Sequence, residues 1–328
     1  MATAAGPLSA LAGVAAAAAG AAGAAAAFTL AGSALAQSYP TKPVTFLDNI
    51  PGGPVEAIKR AIFAKVKDNS GATFIYEGRG GGGGATGLQA VKNAAPDGYT
   101  FGMTYQSAIN LNPLINLDLN IDPINDYIPV TNLFSFGNVW GAKVESPYKD
   151  LRDLVAAAKA KPESVKIGIF GAGNRFFIAQ LEEKTGAKFL LIPYKSITDA
   201  MTATLGGQID AHFDTGGSVL AQKGKLKVVN YGAAKQSPLF PGLQTSVELY
   251  GIDTGSWFGA IAPAKVADAQ VQWVAREINR AIKDPKIVQM IADQGYVLEA
   301  STPAEFTKQL RAEVDANRVL ARKYPDIK

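Results

Sequence analysis

The stretch VTFLDNIPGGPVEAIKRAIFAKV, residues 44–66, contains a complete strand–turn–helix unit. Its first residues, Val44 to Leu47, are apolar or β-branched and predict a strand. Ile50-Pro51-Gly52-Gly53 predicts a turn, and Pro54 suits the first turn of a helix, where its missing N–H costs nothing. Apolar residues then recur at helical spacing at Val55, Ile58, Ile62 and Val66. This unit predicts an α/β protein.

Similar units follow along the chain, because short β-branched runs alternate with amphipathic helical patterns. Further strands are predicted at residues 72–76, 99–104, 165–170, 189–192, 209–213, 227–231 and 257–262. A second set of units begins beyond Pro147, with a helix whose apolar stripe contains Leu151, Leu154, Val155 and Ala158. The pattern predicts α/β layers with a mostly parallel sheet. The roughly 290 residues that follow the first 36 are more than usually fold around a single hydrophobic core, so we expect two lobes.

The first 36 residues predict export. From Leu8 to Leu35 the sequence is almost wholly Ala, Gly, Leu and Val, and Ala34-Leu35-Ala36 has the small-x-small pattern of signal-peptide cleavage. We expect cleavage after Ala36 and a periplasmic mature protein. The usual basic n-region is missing, since the first Lys is Lys42. A membrane anchor is the alternative, although the Ala and Gly content makes the segment only weakly hydrophobic.

The composition excludes several kinds of site. Cysteine is absent, which rules out disulfides, thiol nucleophiles and zinc sites built on Cys. His212 is the one histidine, so a multi-His metal site is impossible, and its apolar strand context favours a structural role. The formal charge of +4 mildly favours anions, but the basic residues are scattered, which argues against nucleic acid as a partner.

Two glycine-containing turns each precede a predicted helix, at Ile50–Gly53 and at Gly171-Ala172-Gly173-Asn174. Free backbone N–H groups and the helix dipole at such a point stabilise an anion by about 0.3 to 1 kcal/mol when exposed. Open sheets bind ligands beyond the carboxyl ends of their strands, so two such turns facing each other would hold a carboxylate. Glycine also makes tight turns in α/β proteins generally, so either turn alone is not diagnostic.

Two charged residues lie beside these turns and predicted strand ends. Arg175 begins the helix predicted after the second turn. A cation is unfavourable near the positive end of the helix dipole, unless a ligand carboxylate pairs with it. The alternative is that Arg175 is simply an exposed surface residue. Asp214 ends a strand and precedes Thr215-Gly216-Gly217. Its carboxylate could accept a hydrogen bond from a ligand or a bound water, or it could cap the next helix.

The run GGGATG, residues 82–87, matches the G-x-G-x-x-G dinucleotide pattern between a strand and a helix. The acidic residue expected roughly 20 positions later is missing, and no Gly-Lys-Ser/Thr follows as in a P-loop. Nucleotide binding is therefore disfavoured, and no cofactor is expected.

Several short motifs occur in an order and at spacings that are together specific. They are YPTKPV (39–44), PGGP (51–54), the glycine run through Gly87, APDGYT (95–100), PYK (193–195), LGGQ (205–208), FD (213–214), SWFG (256–259) and STP (301–303). On these motifs the chain resembles the tripartite tricarboxylate transporter substrate-binding proteins, also called the Bug receptors. The resemblance covers nearly all of the mature chain.

The resemblance implies a type II periplasmic binding protein, with two α/β lobes joined by two crossover connections. We expect the signal peptide at residues 1–36, the first lobe at 37–138 and 260–328, and the second lobe at 139–259. The implied function is that a monomer captures a small organic carboxylate, either a di- or tricarboxylate or an aromatic acid, and delivers it to membrane permease subunits. An exported hydrolase or isomerase on the same fold is the alternative; the absence of G-x-S-x-G and H-E-x-x-H motifs disfavours it.

The predicted ligand-binding residues combine the two turns with positions carried over from the family. They are Ile50, Pro51, Gly52, Gly53, Tyr105, Gln106, Ser107, Gly171, Ala172, Gly173, Asn174, Arg175, Tyr194, Asp214 and Thr215. The chain departs from the family pattern at Arg175-Phe176, where members usually carry small hydroxyl residues, and at Ser196, where a glycine is common. We therefore expect Arg175 to contact a carboxylate directly and Phe176 to form an apolar wall.

Overall fold

A computed structural model of the chain describes residues 39–169, 172–194, 196–233, 236–237 and 239–327. Residues Lys42–Lys328 form one compact unit, and only residues 39–41 are described of the chain before it. The predicted signal peptide therefore lies outside the described residues. Within the described residues, no helix is both long enough and apolar enough to span a bilayer.

The strands alternate with helices over most of the unit. The strands are β1 (Val44–Asp48), β2 (Phe74–Gly78), β3 (Thr100–Tyr105), β4 (Tyr127–Lys143), β5 (Lys166–Ile169), β6 (Leu190–Pro193), β7 (Ala211–Asp214), β8 (Leu226–Gly232), β9 (Gly255–Pro263) and β10 (Val297–Leu298). The helices are α1 (Gly53–Ser70), α2 (Ala85–Lys92), α3 (Gln106–Asn110), α4 (Asn112–Ile115), α5 (Leu151–Ala160), α6 (Ala172–Thr185), α7 (Ile197–Leu205), α8 (Gly216–Ala221), α9 (Ser246–Tyr250), α10 (Asp268–Ala281), α11 (Pro285–Asp293) and α12 (Pro303–Lys323). Every strand predicted from the sequence has an observed counterpart.

The strands follow the order β2-β1-β3-β9-β4-β7-β5-β6, and β8 and β10 also pair with β4. Pairing is parallel among β1, β2 and β3 and among β5, β6 and β7. The centre differs from the prediction of a mostly parallel sheet, because β9 runs antiparallel to β3, and β4 runs antiparallel to β7, β8, β9 and β10. The sheet is therefore mixed. The prediction missed this because strand-forming residue types reveal where a strand lies but not its direction.

The 17-residue strand β4 had no counterpart in the sequence predictions. Most of its residues are buried on both faces, which removes the apolar–polar alternation that marks a half-buried strand. Its first part, Tyr127 to Gly137, pairs with β9, and its last part, Asn138 to Lys143, pairs with β7 or β8. One strand therefore connects the two groups of parallel strands.

Among the described residues, a small apolar core contains Val139 and Phe240, and two larger cores lie on the two sides of this shared strand. One surrounds Leu47, Trp257 and Phe306, and it packs α2 and α12 against β1 and β9. The other surrounds Trp140 and Phe213, and it packs α5 and α6 against β4, β5 and β7. The predicted two-lobed α/β class is confirmed; we use first lobe for the side with β1 and second lobe for the side with β7.

The helix boundaries follow local signals that the sequence carries. Helix α1 has Pro54 in its first turn and ends at Gly71, whose φ of 74° is left-handed. Thr302 and Glu305 form a capping box at the start of α12: the Glu305 N–H donates to Thr302 Oγ1 at 3.2 Å, and the Thr302 N–H donates to Glu305 Oε2 at 2.8 Å. These caps fix the start of the helix that later contributes to the cleft.

Candidate ligand-binding cleft

Two cavities with shared walls lie between the lobes, and we call them the first cavity, of about 180 Å³, and the second cavity, of about 490 Å³. The residues that line both are Ile50, Tyr105, Ile197, Asp214, Thr215 and Phe258. Three of them belong to first-lobe segments around β1, β3 and β9, and three lie at or after the ends of second-lobe strands. The two cavities therefore form one interlobe cleft beyond the ends of β1, β3 and β7, as expected for open α/β sheets.

Most of the predicted binding residues line this cleft. Those in the wall of one or both cavities are Ile50, Pro51, Gly52, Tyr105, Gln106, Ser107, Gly173, Asn174, Asp214 and Thr215. Gly171 lies outside the described residues, and the surroundings of Gly53 and Ala172 are likewise not described. Among the described positions, Arg175 and Tyr194 line neither cavity.

The first turn offers fewer free amides than its sequence suggests. The Ile50 N–H donates to Asp48 Oδ1 at 3.1 Å, and the Gly52 N–H donates to Glu56 Oε2 at 2.5 Å. Pro51 and Pro54 carry no N–H group. An internal carboxylate, four residues along α1, thus already occupies the Gly52 amide. The bond from Arg60, together with this backbone bond, lowers the pKa of Glu56, although burial opposes the shift.

A buried network lies beneath this turn. The Asp48 carboxylate accepts hydrogen bonds from the Lys59 ammonium and from the Tyr76 hydroxyl, the latter at 2.5 Å. The same hydroxyl lies 3.1 Å from Glu56 Oε2, which links the network to the Gly52 amide. Burial and the neighbouring carboxylates raise the pKa of Tyr76, so the hydroxyl keeps its proton. The sequence did not predict this network because Tyr76 is 28 residues from Asp48 and 20 residues from Glu56 along the chain.

The second turn approaches the first lobe closely. A Cβ added to Gly173 would lie 3.5 Å from the Ser107 Cβ, so the start of α6 faces the start of α3. Phe176, which is 2% exposed, forms part of the wall of the first cavity, as predicted. The half-buried Arg175 does not, and its direct contact with a carboxylate stays a prediction.

The glycine run lines the second cavity. Gly81 to Gly84 all have positive φ, between 58° and 119°. The carbonyl groups of the run are occupied from the protein side: the Tyr105 hydroxyl donates to the Gly83 oxygen at 2.9 Å, and the Asn112 amide donates to the Gly82 oxygen at 3.0 Å. Burial raises the pKa of Tyr105 to about 12, which keeps this donor protonated.

Asp214 is the acidic residue that lines both cavities. Its carboxylate accepts hydrogen bonds from the Thr215 N–H at 2.6 Å and from the Ser218 hydroxyl at 2.9 Å, and it lies 3.2 Å from His212 Nε2. Helix α8 begins after Thr215, so Asp214 supports the first turn of this helix without being its N-cap. The N-cap of this helix is Thr215, so the capping alternative for Asp214 is wrong, and its hydrogen bond to a ligand or water stays a prediction.

Other wall residues were not predicted, because long-range packing brings them to the cleft. The first cavity is also lined by Phe136, Asn138, Gln180, Asp253, Thr254, Ser256, Asn317 and Leu320. Asn138 lies on β4, and its amide donates to the Thr254 oxygen at 2.6 Å. Asn317 and Leu320 lie on α12, outside the set of its residues that are buried in the core, Pro303, Phe306, Leu310 and Val314.

Comparison with known proteins agrees with this architecture. The family model described as tripartite tricarboxylate transporter family receptor matches residues 58–322. A Cupriavidus necator protein, described as a UPF0065 protein in the gbd 5′ region, is 30% identical over 290 residues, which are 85% of this chain and 88% of that protein.

Solved structures show the same fold. A protein described as a periplasmic transporter is 28% identical, with a TM-score of 0.80 over 89% of this chain and 99% of that one. An R. palustris protein solved with adipate is 21% identical, with a TM-score of 0.78 over 87% and 97%. The fold is therefore that of periplasmic binding proteins, and the chain belongs to the tripartite tricarboxylate transporter receptor family, the Bug receptors.

Proposed function

We propose that the protein is a periplasmic receptor that captures a small organic carboxylate in the interlobe cleft and delivers it to the permease subunits of a tripartite tricarboxylate-type transporter. The observation that carries the proposal is that glycine turns from both lobes, at Gly52 and Gly173, contribute to one cleft. Gly52 precedes an 18-residue helix and Gly173 lies in the first turn of a 14-residue helix, and the N-terminal dipole of each helix favours an anion there.

The adipate bound to the R. palustris relative supports a carboxylate as the ligand class. Because Gly52 already donates to Glu56, we assign the ligand carboxylate mainly to the second turn and to the polar side chains around it, Gln106 and Ser107. Phe176 provides an apolar surface beside them. This arrangement is suited to a di- or tricarboxylate or an aromatic acid of small size.

We place the change of lobe in β4 between Gly137 and Asn138, because Gly137 pairs with Gly255 of β9 whereas Asn138 pairs with Gly232 of β8. We place the return crossing at the start of β9, since its residues from Gly255 onward pair with the first part of β4. These two strands are the crossover connections about which the lobes would close on a ligand.

The test is a thermal-shift screen of the mature chain against mono-, di- and tricarboxylates, with the corresponding amides as matched controls. A ligand that binds the native state adds to the free energy of unfolding by mass action, by about 2.7 kcal/mol at a hundredfold excess over Kd, and so raises the melting temperature. We expect stabilisation by at least one carboxylate and not by its amide, with the ligand recovered unchanged by mass spectrometry. Turnover of the stabilising compound would favour the enzyme alternative, and no stabilisation by any carboxylate would contradict the proposal.

A further inference from the structure

The sole histidine of the chain touches Asp214, the acidic residue that lines both cavities. His212 lies on β7 with no exposed surface, and its Nε2 is 3.2 Å from Asp214 Oδ2. Its Nδ1 is 2.8 Å from the Thr204 hydroxyl on α7. An anion-binding cleft that contains a bare carboxylate would repel its ligand, so the protonation of this pair bears directly on the proposed function.

The hydroxyl of Thr204 determines which nitrogen of the ring carries a proton. Thr204 Oγ1 donates to the Ala200 oxygen at 3.0 Å. A hydroxyl has a single hydrogen, which a threonine within a helix ordinarily donates to the carbonyl oxygen four residues back, and we therefore assign Thr204 as the acceptor towards His212. With this assignment Nδ1 is the donor in the 2.8 Å contact. A Thr204 hydrogen donated to Nδ1 would instead leave the ring protonated on Nε2 alone, and the nitrogen signals of His212 distinguish the two arrangements.

With Nδ1 protonated, a second proton is required on the other side of the ring. A neutral ring would present the Nε2 lone pair to Asp214 Oδ2, and an ionised carboxylate has no hydrogen to donate. One proton must lie between Nε2 and Oδ2 for the 3.2 Å contact to be a hydrogen bond. Whichever of the two atoms carries it, His212 and Asp214 together then have no net charge.

We propose that His212 is a positioning residue that shares a proton with Asp214 and so removes the negative charge of that carboxylate from the cleft. The inference rests on the proposed function, since it concerns the affinity for a carboxylate ligand. His212 is a positioning residue because it acts through Asp214, which lines both cavities, whereas the imidazole itself lines neither.

The surrounding strands leave room for the imidazole on both sides. Gly141 of β4 and Gly168 of β5 are the direct strand partners of His212. A Cβ added to Gly141 would lie 2.7 Å from His212 Cε1, and one added to Gly168 would lie 3.4 Å from His212 Cβ. The groups that face the pair from neighbouring elements carry no charge, namely these glycines, Thr204 of α7, Ser218 of α8 and Tyr296, whose pKa is raised by burial and by the charge of Asp214 so that its hydroxyl keeps its proton.

The first test needs no ligand. The chain contains one histidine, so a tag-free protein labelled with nitrogen-15 histidine gives one pair of imidazole nitrogen signals. We expect Nδ1 to carry a proton that couples to its nitrogen, and Nε2 to be either protonated or shifted by a hydrogen bond from a protonated Asp214. A ring protonated on Nε2 alone, with a free Nδ1 lone pair, would overturn the proposal.

The second test uses adipate as the probe and calorimetry as the measurement. Replacing the imidazole in His212→Gln keeps a neutral donor but leaves Asp214 ionised, so the Kd should rise by about tenfold or more through like-charge repulsion. Adding Asp214→Asn to this variant should restore most of the lost affinity. A merely structural role of His212 predicts no such rescue, and unchanged affinity in the single variant would also overturn the proposal.

The two tests separate this inference from the receptor function. If no carboxylate binds the unmodified protein, the proposed function fails, while the nitrogen signals still decide where the protons lie. If carboxylates bind but the Asp214→Asn rescue is absent, the receptor function stands and the role of His212 is refuted.

Discussion

The Lys59 ammonium and the Asp48 carboxylate form an ion pair inside the first lobe, with side-chain exposures of 1% and 0%. The pair lies directly beneath the first glycine turn, since the Ile50 N–H donates to the same carboxylate at 3.1 Å. Burial lowers the pKa of Lys59, and the charge of Asp48 opposes this shift. The geometry of the turn therefore depends on a pair that water does not reach.

Lys59→Met should destabilise the protein by about 3 to 5 kcal/mol, because it leaves the Asp48 carboxylate buried without a partner charge. Urea unfolding measures the loss. The double variant Asp48→Asn, Lys59→Met is the control, and it should cost clearly less than the sum of the two single variants. Strict additivity would show that the two groups do not depend on each other.

Gly52→Ala should cost about 1 to 3 kcal/mol of unfolding free energy through backbone strain alone. Gly52 has φ of 97° and ψ of 174°, and a Cβ there would meet nothing within 4 Å. Gly206→Ala is the matched control, because Gly206 has φ of −74° and its added Cβ would lie 3.4 Å from its nearest neighbour. Equal effects of the two changes in urea unfolding would contradict a requirement for glycine in the first turn.

Asp150 should make the stability of α5 dependent on pH in acid. Its carboxylate accepts from the Arg152 N–H at 2.8 Å and the Asp153 N–H at 3.3 Å, and Asp150→Ala should cost about 1 kcal/mol at neutral pH. Burial raises the pKa of Asp150, but the hydrogen bonds from Arg152 and Asp153 outweigh burial and lower it overall.

The stabilisation from the Asp150 charge is therefore fully present above the ordinary pKa of an aspartate and is lost as the pH falls through the lowered value. Asp150→Asn, which keeps the accepting oxygen, should lessen the loss of stability on acidification, as measured by urea unfolding at neutral and at acidic pH. An unchanged acid dependence in the Asn variant would show that the charge of Asp150 plays no part.

Arg175 and Phe176 can be separated by their effects on the carboxylate screen. If Arg175 contacts the carboxylate, Arg175→Ala weakens every carboxylate that binds, because it removes the shared charged group. Phe176→Leu keeps an apolar wall of different shape and should change the ranking among ligands instead. Unchanged affinities in Arg175→Ala would remove the predicted contact and leave only the wall formed by Phe176.

The sequence predicts well those parts of the fold that depend on neighbours along the chain. The strand expected at Val44 to Leu47 is observed as Val44–Asp48, and the helix expected from the apolar stripe that begins at Leu151 spans Leu151–Ala160. In contrast, β4 was missed because burial on both faces removes the alternation of apolar and polar residues.

The candidate site shows the same division. The turns at Gly52 and Gly173 could be found from local glycine patterns, and both reach the cleft. The hydrogen bond from the Gly52 N–H to the Glu56 carboxylate could not be predicted, because the sequence does not reveal which acceptor a free N–H will bind. Asn317 and Leu320 were also missed, since only the packing of α12 across the molecule brings them to the wall.

Strand β4 has a consequence for how the molecule can be divided. Its 17 residues complete the hydrogen bonding of β9 on one side and of β7 and β8 on the other. A fragment cut on either side of this strand would lose a central partner and expose a row of unpaired backbone groups. The two halves should therefore melt in a single cooperative transition, and neither should persist as an autonomous folding unit.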